Sequence, residues 1–109
     1  MKNISSKYQL DAALEKSNHE LIILFKHSNT CPTSASAFLE IENLEKKIDV
    51  PIFKIVVQDY RKLSDKVEDL LEVQHESPQA ILINQSHEKK IFNHEEITED
   101  NLFEAVMNF

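Results

Sequence analysis

Apolar positions along the chain recur in two different periods, and the periods alternate. Leu10, Ala13 and Leu14 fall at helical spacing, with Ser6 placed as an N-cap and Gln9 three residues on completing a capping box. The stretch SNHE, residues 17–20, ends that helix, with Asn18 in the position a glycine commonly takes. LIILF, residues 21–25, is an unbroken apolar run bounded by turn signals, the pattern of a strand buried on both faces. A five-residue polar loop, KHSNT, follows. Ala37, Ile41, Leu44 and Ile48 then return to helical spacing, with Glu40, Glu42, Glu45, Lys46 and Lys47 between them.

Pro51 closes this second helix and opens IFKIVV, residues 52–57, a second strand. RKLSDKVEDLLEV, residues 61–73, sets Leu63, Val67, Leu70 and Leu71 on one helical face before HESP interrupts it. AILIN, residues 80–84, reads as a third strand. Asn84 to His87 turns it into KKIF, residues 89–92, so that the two form a β-hairpin. Thr98 caps a last helix, with Ile97 and Leu102 as a hydrophobic staple and Leu102, Val106 and Phe109 as its buried face. The order is α–β–α–β–α–β–β–α, with room for a short strand at Asn3–Ile4. Early alternation gives parallel strands through crossover helices, and the hairpin adds antiparallel ones. The expected architecture is α/β: a central mixed β-sheet flanked by helices, three layers, in a single domain spanning residues 1–109.

Composition removes several function classes. The net charge is −7, from 19 acidic and 12 basic residues with no dense basic tract, so the footprint that nucleic-acid binding needs is missing. Glycine is absent altogether, which excludes the Gly-rich loops that cradle phosphates and dinucleotides. No apolar run approaches the roughly 20 residues of a bilayer span, and the N-terminus lacks the apolar core of a secretory signal. With one cysteine and no internal disulfide, the expected location is a reducing cytoplasm. Five histidines (19, 27, 75, 87 and 94) form no His-x-x-x-His pair, so no metal site is expected and they read as solvated surface groups. The acidic run HEEITED, residues 94–100, places charge at a helix N-terminus rather than around calcium.

What remains is the single cysteine. Cys31 follows a buried strand and precedes Pro32, a residue favoured at the first helical position. That arrangement puts Cys31 at the N-terminal edge of a helix. Unpaired N–H groups and the helix dipole there favour thiolate over thiol. Free cysteine titrates at about 8.5, and helix N-termini lower that to roughly 3.5–7.5. Ser34 lies one turn on, positioned to donate a hydrogen bond to the sulfur. His27 and Lys26 are the nearest basic groups. A lone cysteine also reads as a small buried hydrophobe. The polar neighbours Thr30, Thr33 and Ser34 argue against apolar burial, and both readings stand on the residues alone.

FKHSNTCPTS, residues 25–34, resembles the active site of the monothiol bacilliredoxins, the YtxJ-like group of thioredoxin-fold proteins, whose signature is Thr-Cys-Pro-x-Ser. Thr33 occupies a position that is often aliphatic in that group. The Trp-Cys-Gly-Pro-Cys of thioredoxins and the Cys-Gly-Phe-Ser of monothiol glutaredoxins are both absent. The element order agrees with the thioredoxin-like fold along the whole chain. The resemblance implies a cis-proline before the third core strand, at Pro78, with Ser77 offering its backbone to a bound substrate.

It also implies a thiol–disulfide oxidoreductase that removes bacillithiol from protein mixed disulfides and contributes to stress response. Cys31 would be the nucleophile, Ser34 its support, and Thr30, Pro32, Ser77 and Pro78 the substrate contacts. No tightly bound cofactor is implied. The partners would be bacillithiolated proteins, bacillithiol as co-substrate, and a low-molecular-weight thiol or partner redoxin that clears Cys31. Two alternatives remain: a monothiol glutaredoxin-like protein using another small thiol, and a non-catalytic thioredoxin-like module that binds a partner protein.

Overall fold

The computed structural model describes residues 1–109, and its elements begin where capping chemistry allows them to. Strand β1 (Lys2–Asn3) precedes α1 (Lys7–Lys16), whose N-cap Ser6 accepts the Gln9 N–H at 3.2 Å. The reciprocal bond of the expected capping box lands one residue earlier, because the Gln9 carbonyl accepts from the Ser5 N–H at 2.6 Å and the Ser5 hydroxyl at 2.9 Å. Asn18 does not end α1 in a left-handed conformation. The helix tightens instead through Ser17, Asn18 and His19 N–H groups bonded to Leu14, Glu15 and Lys16 carbonyls, so no glycine substitute is required.

Strand β2 (Ile22–His27) runs two residues past the apolar stretch that announced it, and Lys26 and His27 belong to the strand rather than to the following loop. Helix α2 (Pro32–Glu45) leads to β3 (Ile52–Val56), then α3 (Arg61–Leu71), β4 (Gln79–Ile83) and β5 (Lys89–Asn93). A single 3₁₀ turn at His94–Glu96 precedes α4 (Glu99–Asn108), which Thr98 caps by accepting the Asn101 N–H. The order across the sheet is β1-β3-β2-β4-β5. β1, β3 and β2 are parallel, β4 runs antiparallel to β2, and β5 antiparallel to β4, which gives the expected mixed sheet. The short first strand pairs through Lys2 and Asn3, and the Ile4 N–H reaches Lys54.

Alternation along β2 splits the core in two. Ile22 and Leu24 pack with Leu10 and Ala13 of α1 and Leu63 and Val67 of α3. Ile23 and Phe25 pack on the other side with Ala37, Ile41 and Leu44 of α2 and Leu102 of α4. Two exceptions to the expected faces stand out. Leu70 is half exposed, because α3 turns it past the edge of the sheet while Leu71 packs inward. Ile48 lies beyond α2 and packs against the core from the loop.

Candidate active site

The strand-to-helix junction after β2 opens toward solvent at the end of the sheet where β4 begins, since Lys26 pairs with Gln79 in register. Cys31 and Pro78 flank these partners in sequence, so the nucleophile loop and the segment before β4 lie at one end of the sheet. Cys31 is the N-cap of α2, in extended conformation (φ −101°, ψ 123°), with Pro32 beginning the helix. Its side chain makes no capping bond, and its own carbonyl accepts the Ala35 N–H at 3.2 Å. The N–H groups of Thr33 and Ser34 therefore have no intrahelical partner, and their partial positive charge acts on the nearby sulfur.

Those groups hold the Cys31 thiol below its usual range. The Ser34 N–H contributes most and the Thr33 N–H next; slight desolvation opposes them, and the Thr33 and Ser34 hydroxyls add smaller support. Ser34 is fully buried, and its hydroxyl oxygen accepts the Ser28 N–H at 3.2 Å, which leaves its proton free to face the sulfur. Cys31 itself is partly exposed, so it is not a buried hydrophobe.

Neither basic residue near Cys31 in sequence helps the thiolate. His27 is packed between Phe25 and Phe38, with ring centroids at 5.6 and 5.2 Å, and burial, reinforced by Lys54, lowers its proton affinity. Lys26 points to the opposite face of the sheet, where it meets His75. Alternation along β2 sends it there, because it shares a face with Leu24 rather than with Phe25.

The loop before Cys31 is fixed by a residue with no sequence signal, Gln58. Its amide donates to the Ser28 hydroxyl at 2.5 Å and to the Thr30 hydroxyl at 2.9 Å, and its carbonyl accepts the Asn29 N–H at 3.1 Å. Thr30 thus contributes to loop geometry, with its hydroxyl already engaged. A single polar residue after a strand follows no period, and only the folded loop reveals its use.

On the other side, the Ser77–Pro78 peptide bond is cis. The Pro78 carbonyl accepts the His94 N–H at 3.0 Å, and His94 Nε2 lies 2.8 Å from Glu76 Oε1. The Ser77 hydroxyl is buried without a partner. Beyond His94, between the start of α2 and the His94–Thr98 turn, runs a groove of about 390 Å³ lined by Pro32, Thr33, Glu40, His94, Glu95 and Thr98 among others. No cluster of His, Cys, Asp or Glu suited to a metal is present, and no helix is long and apolar enough to cross a membrane.

Comparison with known proteins agrees with this geometry. A structure provisionally described as an oxidoreductase with a thioredoxin fold is 30% identical, with a TM-score of 0.85 over 95% of this chain and 91% of that one. Fasciola hepatica thioredoxin (18% identity, TM-score 0.80, 99% and 98% of the two chains) shares the fold. So does chloroplastic thioredoxin z (19%, 0.79, 99% and 92%). The family profile described as Monothiol bacilliredoxin BrxC matches residues 2–102. A lone cysteine at an open helix N-terminus, in a thioredoxin fold matched over nearly its whole length, places this chain in the monothiol bacilliredoxin family of thiol–disulfide oxidoreductases.

Proposed function

We propose that the protein removes bacillithiol from protein mixed disulfides, with Cys31 as its only catalytic thiol. The observation that carries this reading is the position of Cys31 as N-cap of α2, with two free N–H groups and two hydroxyls supporting its thiolate and no second cysteine to compete. Thiolate character and access are what thiol–disulfide exchange requires.

The Cys31 thiolate attacks the bacillithiol sulfur of the mixed disulfide. A new S–S bond forms between Cys31 and bacillithiol, the old bond breaks, and the protein leaves as a thiolate that takes a proton from water. The adduct stays on Cys31 until a second small thiol or a partner redoxin attacks it, because the chain holds no resolving cysteine. Ser34 supports the thiolate, Pro32 and Thr30 shape the approach, and Ser77 presents its backbone beside Pro78 to the substrate chain. The groove lined by Pro32, Thr33 and His94 begins at the residue after Cys31 and offers space beside it for the small thiol. The cytoplasm, where protein disulfides are transient, is the setting that suits a repair reaction of this kind.

Intact mass after incubation with a bacillithiolated protein, beside a glutathionylated one, tests the reading. Transfer of one bacillithiol to the wild type, none to Cys31→Ser, and little glutathione is the expected result. Preferential transfer from glutathione overturns the small-thiol assignment, and continued removal of bacillithiol by Cys31→Ser overturns the mechanism.

A further inference from the structure

Lys26 is a lysine with no exposed surface in the central strand of the sheet. An apolar residue there would continue the face made by Ile22 and Leu24, and burying an ammonium is far more costly unless it finds partners. Its Nζ lies 3.2 Å from His75 Nδ1. The same ring nitrogen is 3.3 Å from the Ser64 hydroxyl, and the His75 backbone N–H donates to Glu68 Oε1 at 2.9 Å. Beside Lys26 in register are Ile55 of β3 and Gln79 of β4. Gln79 donates to the Gln74 carbonyl and to Asn93 Oδ1, both at 3.0 Å. Asp65 and Glu68 of α3 and Glu76 of the loop complete the charged surroundings.

These bonds join the strand that leads to Cys31 with the segment that leads to Pro78, on the α3 face of the sheet. β2 leads directly to Cys31, five residues beyond Lys26. His75 lies two residues before Ser77. We infer that the Lys26–His75 hydrogen bond holds the Ser77–Pro78 segment in register for an extended protein substrate, so that both are positioning residues for the exchange reaction. The inference rests on the reading that the Ser77 backbone pairs with substrate.

The bond requires a neutral His75 whose Nδ1 lone pair faces the ammonium, with its proton on Nε2. Burial first, and the Lys26 charge second, hold the proton affinity of His75 below its ordinary value of 6.5, against the pull of Glu68, Asp65 and Glu76. Burial lowers that of Lys26, and the same three carboxylates oppose it. A protonated His75 could not accept from Lys26, so acidification breaks the anchor.

The test compares two disulfides. One is an extended peptide in mixed disulfide with thionitrobenzoate: Cys31 bonds to the peptide sulfur, and the coloured thionitrobenzoate anion leaves. The other is the symmetrical disulfide of thionitrobenzoate, which has no backbone to pair. Wild type is expected to prefer the peptide. Lys26→Met and His75→Leu should slow the peptide reaction about tenfold, the scale of a small misplacement of substrate, and leave the small disulfide unchanged. His75→Asn keeps an acceptor where Nδ1 lies and should retain most of the peptide rate. It should also lose the fall in peptide preference expected of wild type on acidification below the ordinary histidine range, since asparagine does not titrate there. A Lys26→Met variant that keeps its peptide preference, or that slows equally on both disulfides, overturns the inference alone. A wild type with no peptide preference overturns the Ser77 pairing on which it rests. If Lys26→Met or His75→Leu fails to fold, the pH profiles of wild type and His75→Asn decide: identical profiles overturn it.

Discussion

Removing the two hydroxyls near Cys31 separates the contributions of backbone and side chain to its reactivity. Thr33→Val deletes one hydroxyl at nearly constant shape, and Ser34→Ala deletes the other. The structure ranks the Ser34 and Thr33 N–H groups ahead of either hydroxyl, and both variants keep those N–H groups. The thiolate is the charged form, so a lowered pKa keeps Cys31 reactive as pH falls below the ordinary thiol value and loses that reactivity only through the lowered one. Each single variant should slow alkylation by iodoacetamide about threefold at neutral pH, and the double variant about tenfold, with its pH midpoint raised but still below that of free cysteine. Their stabilities should differ. Ser34→Ala leaves the Ser28 N–H without its 3.2 Å acceptor inside the loop, a loss of about 1–2 kcal/mol, whereas Thr33→Val should stay within roughly 0.5 kcal/mol of wild type. Alkylation rate against pH, followed by intact mass, and urea unfolding read the two effects. A double variant that titrates like free cysteine refutes the ranking, because the helix N-terminus would then contribute nothing.

Gln58→Ala releases the Ser28, Asn29 and Thr30 contacts and should slow disulfide exchange several-fold with little change in the urea midpoint, since the loop it holds is exposed; an unchanged rate would show that the loop holds itself. Glu72 (φ 55°) and His87 (φ 63°) occupy left-handed positions at the end of α3 and in the β4–β5 turn. Glu72→Gly and His87→Gly should each raise stability by about 0.5–1 kcal/mol by relieving the Cβ clash, checked by urea unfolding. Ser34→Cys introduces a thiol three residues from Cys31 in the first turn of α2. It should convert the proposed bacillithiol adduct into an internal disulfide with release of bacillithiol, seen by mass as loss of the adduct and of two further hydrogens.

The parts of the fold legible in the sequence are those set by local chemistry. Ser6 and Thr98 as caps, the LIILF run, the Asn84–His87 turn and Pro32 at the start of a helix each depend on neighbours within four residues, and each has its counterpart in the structure. Cys31 and Ser34 were legible for the same reason, lying within one turn of a helix whose start Pro32 marks. What failed depended on direction. Lys26 follows a run of apolar residues and reads in the sequence as part of a polar loop, but continuing the strand by two residues turns its side chain away from Cys31 and into the core. The Gln58 contacts and the Lys26–His75 bond join residues about thirty and fifty positions apart, separations over which no local period operates.

The absence of glycine bears on the site as well as on stability. Three residues adopt positive φ in this chain: Glu72, His87 and His94. At the first two the side chain is incidental to the turn, and a glycine would serve the backbone better. His94 differs, because its backbone N–H bonds the Pro78 carbonyl while its ring meets Glu76, two residues before Pro78. One residue thus ties both the backbone and a side chain of the Glu76–Pro78 segment, and its left-handed backbone is what brings the two bonds together. With Lys26 and His75 holding the same segment from the α3 side, the cis-proline loop is gripped from both of its flanks. Restraint from both flanks holds the loop at the end of the sheet where the one thiol of this enzyme sits. Its single sulfur must meet two successive partners, first the protein disulfide and then the thiol that clears it.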